Sequence, residues 1–357
     1  MRGFLTSKDP DGVKIMAHCD KDQVLADWRG YALAFEREIG KAVIGLEPAV
    51  RQITLAVLAR GHVMLEGDVG VGKTTLLRAV ARCLGGAYER VEGTIDLMPN
   101  DVIYHTYINS EGRPQVDPGP LLKHGEWLSV FFFNEVNRAR PQIHSLLLRV
   151  MAERTVSAFN REHYFPYLQV FADRNRVERE ETFEMPSAAR DRFLMELHIE
   201  TPKDVEVQRQ LMFDQRFHDV DRLLQTLSPD ILPYREIVDI APLIQSHVQA
   251  SHALERYALA LWAATRNPAE VGIRIEGVDM DRLVLAGASP RGMGMMMRAA
   301  RVHAWLMGRD HLLPEDIQAV FAETIAHRIF LTPMYELRRE AVIPALISAI
   351  LRQVAAP

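Results

Sequence analysis

Gly67-Asp68-Val69-Gly70-Val71-Gly72-Lys73-Thr74, set between an apolar run at residues 63–65 and a helical run at residues 75–83, is the stretch that decides the fold. It spells GxxxxGK[ST] between a strand and a helix. The glycines let backbone amides turn inward around phosphate oxygens, and the helix N-terminus adds a favourable dipole. Lys73 can bridge terminal phosphates, and the Thr74 hydroxyl can ligate magnesium. A plain glycine turn accounts for Gly67 and Gly72, but not for Lys73 and Thr74 together at this point. The loop implies a nucleotide site.

Working outward, short apolar runs alternate with helical segments from about residue 49 to residue 199, the pattern of a parallel sheet covered by helices. Candidate strands are residues 63–66, 88–91, 129–133, 168–172 and 194–199. After Pro202 the strand-like runs stop, and residues 205–227, 253–265, 291–307 and 314–327 read as amphipathic helices punctuated by Pro233, Pro268 and Pro314. The expected architecture is an α/β nucleotide-binding core at residues 41–202, an N-terminal extension at 1–40 and a smaller all-helical domain at 203–357.

The third strand runs through Phe131, Phe132 and Phe133 into Asn134 and Glu135. A strand ending in acids beside a phosphate loop holds the metal shell with its first acid and polarises the attacking water with its second. Here Glu135 keeps the second role, while the first position is Asn134, an amide without the charge. A core strand capped by a polar pair is the plainer reading of this stretch alone; its spacing from Lys73 favours the site.

The wider composition is that of a globular protein with a real core. The chain has 357 residues and a formal charge of −5 with both signs interspersed, which gives no overall reason to seek nucleic acid. No run approaches the roughly 18 apolar residues that cross a bilayer. Asp9, Asp11, Asp20 and Asp22 stand where a signal peptide needs an apolar stretch, so a cytoplasmic protein is expected. Cys19 and Cys83 are too few for a disulfide framework or a cysteine metal site.

The segment at residues 134–156, NEVNRARPQIHSLLLRVMAERTV, resembles the MoxR family of AAA+ ATPases. The likeness extends to VIG at residues 43–45, GHVMLEG at 61–67, TIDLMPND at 94–101, Asp191-Arg192-Phe193, and the turn Gly287-Ala288-Ser289-Pro290-Arg291, covering about residues 41–329. It implies a P-loop AAA+ core with a five-stranded parallel sheet and a helical lid. It adds Ile44 and Thr75 to the nucleotide-binding set Gly67, Asp68, Val69, Gly70, Val71, Gly72, Lys73 and Thr74, and gives Thr74 and Asn134 to magnesium.

Catalytic roles follow from the same resemblance. Asn175 matches the sensor asparagine, although Asp173, Arg174 and Arg176 replace the family's usual uncharged flanks. Arg192 resembles the arginine finger that reaches a neighbour's nucleotide, and Arg291 the sensor arginine of the lid. Read without the family, Asn175 is a turn residue, Arg192 pairs with Asp191, and Arg291 is a solvated helix-start cation. Residues 104–118 and 155–166 match two pore-facing inserts.

The resemblance implies an ATPase using ATP and Mg2+ in a homo-oligomer, a hexameric ring, that acts as a chaperone-like motor. Its implied partners are a von Willebrand A domain protein and a client enzyme containing a metal or cofactor, such as methanol dehydrogenase. An ATP-binding scaffold with weak hydrolysis is the alternative, motivated by Asn134. A nucleic-acid motor is disfavoured, because the remaining residues hold no DNA-binding module.

Overall fold

The computed structural model describes residues 21–175 and 183–357, together with the backbone of a short antiparallel strand pair, Ser7–Lys8 with Lys14–Ile15. The side chains of the first 20 residues and the flank Arg176 lie outside the described residues.

Five parallel strands form the central sheet: β1 (His62–Gly67), β2 (Ala87–Glu92), β3 (Leu128–Asn134), β4 (Gln169–Asn175) and β5 (Phe193–Ile199). Their spatial order is β5-β1-β4-β3-β2. Each expected strand is present and runs one to three residues past an expected end, although β4 starts one residue late at Gln169, because backbone pairing continues past the apolar run that marks its middle. The extension of β4 carries Asp173, Arg174 and Asn175 into the sheet rather than into a turn.

Four of the strands are mostly buried on both faces, as a parallel sheet requires, while the edge strand β2 buries only Val91. On one face, Val63 and Leu65 of β1, Val130 and Phe132 of β3 and Phe171 of β4 share a cluster with three helices: α1 (Lys21–Gly40), α2 (Glu47–Leu58) and α3 (Lys73–Leu84). On the other face, Met64, Phe131, Phe133, Val170 and Ala172 pack against α4 (Pro141–Glu153). Alternation along each strand therefore fixes which end residues meet α3. Within α1, Leu25, Trp28, Ala32, Phe35 and Ile39 recur at helical spacing and are buried.

Beyond the sheet, the helix expected over residues 205–227 is three pieces: α5 (Val205–Phe213), a 3-10 turn at Gln215–Phe217 and a short helix at Val220–Gln225. Asp214 accepts from Arg216 N and Asp219 from Arg222 N, so each aspartate caps a new start and the backbone leaves the helix at both points. The helical C-terminal region continues with α6 (Ile237–His247), α7 (His252–Arg266), α8 (Pro290–Leu306), α9 (Pro314–Ile325) and α10 (Arg339–Gln353), with a two-stranded ribbon of Val284–Ala286 and Phe330–Leu331. Its apolar faces continue the α3-side cluster.

Two antiparallel hairpins project from the core, Tyr104–Ile108 with Pro114–Pro118 and Thr155–Ala158 with Arg161–Tyr164. Phe159 and Asn160 turn the second with positive φ, and the Phe159 ring lies 4.9 Å from that of Tyr104. One insert thus packs on the other.

Candidate active site

The C-terminal ends of β1, β3 and β4 converge on the N-terminus of α3, where open α/β sheets place ligands. Gly70 and Gly72 have φ of 83° and 91°, left-handed values that only glycine adopts without strain, and Gly72 is the N-cap of α3. Asp68, Val69 and Gly70 are exposed, Val71, Gly72, Thr74 and Thr75 are half-buried, and Gly67 ends β1. Thr74 and Thr75 lie in the first turn of α3.

Lys73 is buried at 6 % exposure, and its ammonium donates to Gly67 O at 2.6 Å, Asp68 O at 3.1 Å and Asn175 Oδ1 at 2.7 Å. Asn175 in turn donates through Nδ2 to Glu135 Oε1 at 3.1 Å. A hydrogen-bonded line therefore runs Lys73, Asn175, Glu135. Glu135 sits just past β3 with φ of 52°, a left-handed conformation costing a non-glycine residue about 1 kcal/mol or more. Its Oε2 also takes a hydrogen bond from Arg138 Nη1 at 3.0 Å.

Asp173 is the residue that sequence reasoning misjudged as a disturbing flank. It is 2 % exposed, accepts from Glu135 N at 2.6 Å through Oδ1, and faces Lys73 Nζ with Oδ2 at 3.9 Å. Burial pushes its carboxyl up to about 6, against the lowering effects of the Glu135 amide and Lys73. The signal in the sequence was parity: Asp173 is two residues before Asn175 and so shares its face. Asn134, 7 % exposed, donates through Nδ2 to Glu92 Oε1 at the end of β2.

Three other expected residues lie outside this line. Arg291 opens α8 and pairs with Asp191 Oδ2 at 3.2 Å. Asp191 also accepts from Ser289 Oγ at 2.9 Å and Arg328 Nε at 3.0 Å. Arg192 is half-buried, and its side chain has no hydrogen-bond or ion-pair partner among the described residues. The pairing of Arg192 with Asp191 is thus replaced by pairing with Arg328 and Arg291. Ile44 is half-buried in the turn between α1 and α2, beside Gly45, whose Cα approaches Pro202 and Val207 too closely for a side chain.

The arrangement matches known proteins at every level. Residues 62–195 fit the model of the ATPase family associated with various cellular activities, and residues 280–350 fit the AAA lid domain. Protein MoxR of Methylorubrum extorquens is 63 % identical over 94 % of this chain and 98 % of its own length. The chain belongs to the MoxR family of AAA+ ATPases. Protein MoxR of Paracoccus denitrificans is 54 % identical over 94 % of this chain and 99 % of its own, and Chaperone MoxR1 of Mycobacterium tuberculosis 32 % over 90 % and 81 %. A solved Cytophaga hutchinsonii structure described as a candidate ATPase superposes with a TM-score of 0.80 at 30 % identity, covering 94 % of this chain and 98 % of that one. The line from Lys73 through Asn175 to Glu135 lies within the residues 62–195 that fit the first of these models. Among the described residues no helix is long and apolar enough to cross a membrane.

Proposed function

We propose that this chain hydrolyses ATP at the phosphate loop and uses the cycle to remodel or activate a partner protein. The observation that carries the reading is the hydrogen-bonded line Lys73–Asn175–Glu135, which couples a phosphate-binding cation to a carboxylate able to orient water. Gly67, Asp68, Val69, Gly70, Val71, Gly72, Thr75 and Ile44 bind the nucleotide, Lys73 faces its terminal phosphates, Asn175 fixes the spacing of Lys73 and Glu135, and Glu135 accepts the proton.

The hydroxyl, amide and carboxylate oxygens at this end of the sheet, set against one buried lysine, are a donor set that fits a magnesium ion carried by a polyphosphate. Thr74 and Asn134 would hold it, and when bound it would neutralise phosphate charge.

Arg192 is assigned to the nucleotide of a neighbouring subunit in a hexameric ring; its unengaged guanidinium among the described residues supports that role. Arg291 is assigned to the nucleotide of its own subunit, which requires it to leave Asp191 as the lid moves. The domain bounds 41–202 and 203–357 fit such a hinge, and the two hairpins with Phe159 and Tyr164 exposed fit a pore that touches a client. A von Willebrand A domain protein and a cofactor-containing enzyme in the cytoplasm are the proposed partners, and the printed name of the relative Chaperone MoxR1 supports the chaperone-like role.

Steady-state phosphate release by the wild type and Asn134→Asp tests this reading. Turnover by the wild type supports the motor; absence of turnover with magnesium and partner present would leave an ATP-binding scaffold. Mixing Arg192→Ala with Glu135→Gln subunits tests the trans role, and unchanged activity of an Arg192→Ala ring would contradict it.

A further inference from the structure

The strand that should carry a magnesium-facing acid ends in an amide, and the adjacent strand carries a buried acid beside it. β3 and β4 pair in parallel through Phe133 and Ala172, so the next step along the ladder sets Asn134 beside Asp173. Parity gives both side chains the same face. Phe132 and Phe171, two residues earlier on each strand, lie in the cluster that includes Leu76, Leu77 and Val80 of α3. Asn134, Asp173 and Asn175 therefore all project toward the helix whose first turn holds Lys73 and Thr74.

The partners of these groups separate their roles. The amide of Asn134 donates away from the phosphate loop, to Glu92 on the outer strand β2. Glu92 is itself paired with Arg90 at 2.8 Å and has a side chain 49 % exposed. Glu135 has Arg138 at 3.0 Å. Asp173 is different: Lys73 is 3.9 Å away, and the three donors of that ammonium have acceptors at Gly67 O, Asp68 O and Asn175 Oδ1. A carboxylate has thus been buried at the loop's end of the sheet without a hydrogen-bonded cation there. Burying such a charge is unfavourable unless something brings positive charge to it.

We propose that Asp173 supplies the carboxylate of the magnesium position, adding to Thr74 on α3 and the amide oxygen of Asn134 on β3 the charge that Asn134 lacks. This rests on the nucleotide reading above. The acid sits one strand closer to the phosphate loop than Asn134 does, since β4 and not β3 is the direct neighbour of β1.

The test is equilibrium binding of a fluorescent, non-hydrolysable ATP analogue to the full chain in Mg2+ and in EDTA, together with Mn2+ binding followed by electron paramagnetic resonance. For Asp173→Asn, folding being checked by circular dichroism, we expect the gain in affinity from Mg2+ to fall by about 10- to 100-fold, with affinity in EDTA unchanged or higher, and the bound-Mn2+ signal to weaken in parallel. The exchange variant Asn134→Asp/Asp173→Asn should recover both readouts, which a purely structural role for Asp173 would not produce, and Glu92→Gln should leave both unaltered. Wild-type Mg2+ dependence in Asp173→Asn would overturn the proposal, as would its loss in Glu92→Gln alone or failure of the exchange variant to recover. A wild type that binds no nucleotide in either medium would instead overturn the nucleotide reading and this proposal with it.

Discussion

Two buried cations, Lys73 and Arg328, show what distinguishes a site from a joint. Both are almost inaccessible, at 6 % and 1 % exposure. Arg328 is saturated: it donates to Asp191 Oδ1 at 3.0 Å, to the carbonyls of Asp191, Phe193, Leu194 and Thr324, and to Met295 Sδ. Burial pulls its guanidinium down to about 10, opposed chiefly by Asp191. Lys73 meets neutral carbonyls and an amide, while its carboxylate stands 3.9 Å off. The first cation has been neutralised by the fold and ties lid to core. The second keeps charge in reserve beside an open glycine loop, which is what a polyphosphate needs.

The largest contrast should appear in stability. Arg328→Leu leaves Asp191 and several carbonyls without their donor, and should cost about 3–5 kcal/mol in urea unfolding. Lys73→Met removes three hydrogen bonds to neutral oxygens and one carboxylate 3.9 Å away, and should cost less. Equal losses would erase the distinction between joint and site.

Next in size is Asp173→Asn without ligand. The carboxyl of Asp173 is raised from 3.8 to about 6 by burial, so the folded state binds its proton more tightly than the unfolded chain. That favours folding below about pH 3.8 relative to higher pH, and the cost of ionising the buried group grows between about 4 and 6 and is then complete. Asp173→Asn should therefore stabilise the apo protein by roughly 1–3 kcal/mol at pH 8 and by almost nothing at pH 3.5, measured as unfolding midpoints at both pH values.

The joint can be probed through its close packing. A Cβ on Gly292 would collide with Arg328 Cδ, so Gly292→Ala should destabilise by about 1–3 kcal/mol despite the better helix propensity of alanine. Smallest is Arg291→Ala: with its side chain 48 % exposed, its pair with Asp191 is screened and worth about 0.5 kcal/mol or less in the apo protein. A larger loss would mean that Arg291 belongs to the joint rather than being held there until the lid moves.

The same comparison explains what was legible in the sequence. The five strands and the loop could be read because apolar runs and glycines act locally. Lys73 announced itself through neighbours in the chain. Arg328 did not, since its partners Asp191, Phe193 and Leu194 are more than a hundred residues away and nothing in residues 314–327 marks the position that follows. Asp173 failed to be read for a related reason: its charge looked foreign next to Asn175, and only the pairing of Phe133 with Ala172 one step earlier brings it to the end of β3. α6 and α10 lacked a clean helical signature because Pro242 and Pro344 fall inside them. The expected long helix over residues 205–227 broke at Asp214 and Asp219, where capping competes with an apolar pattern that continues across both.

One measurement bears on the central claim most directly: ATP affinity and apo stability of Lys73→Met, determined on the same preparation. Lys73→Met should lose roughly 30-fold or more in affinity, corresponding to a charged hydrogen-bonded contact, with a smaller shift of the unfolding midpoint than Arg328→Leu. Unimpaired ATP binding, or an apo protein as damaged as Arg328→Leu, would contradict it.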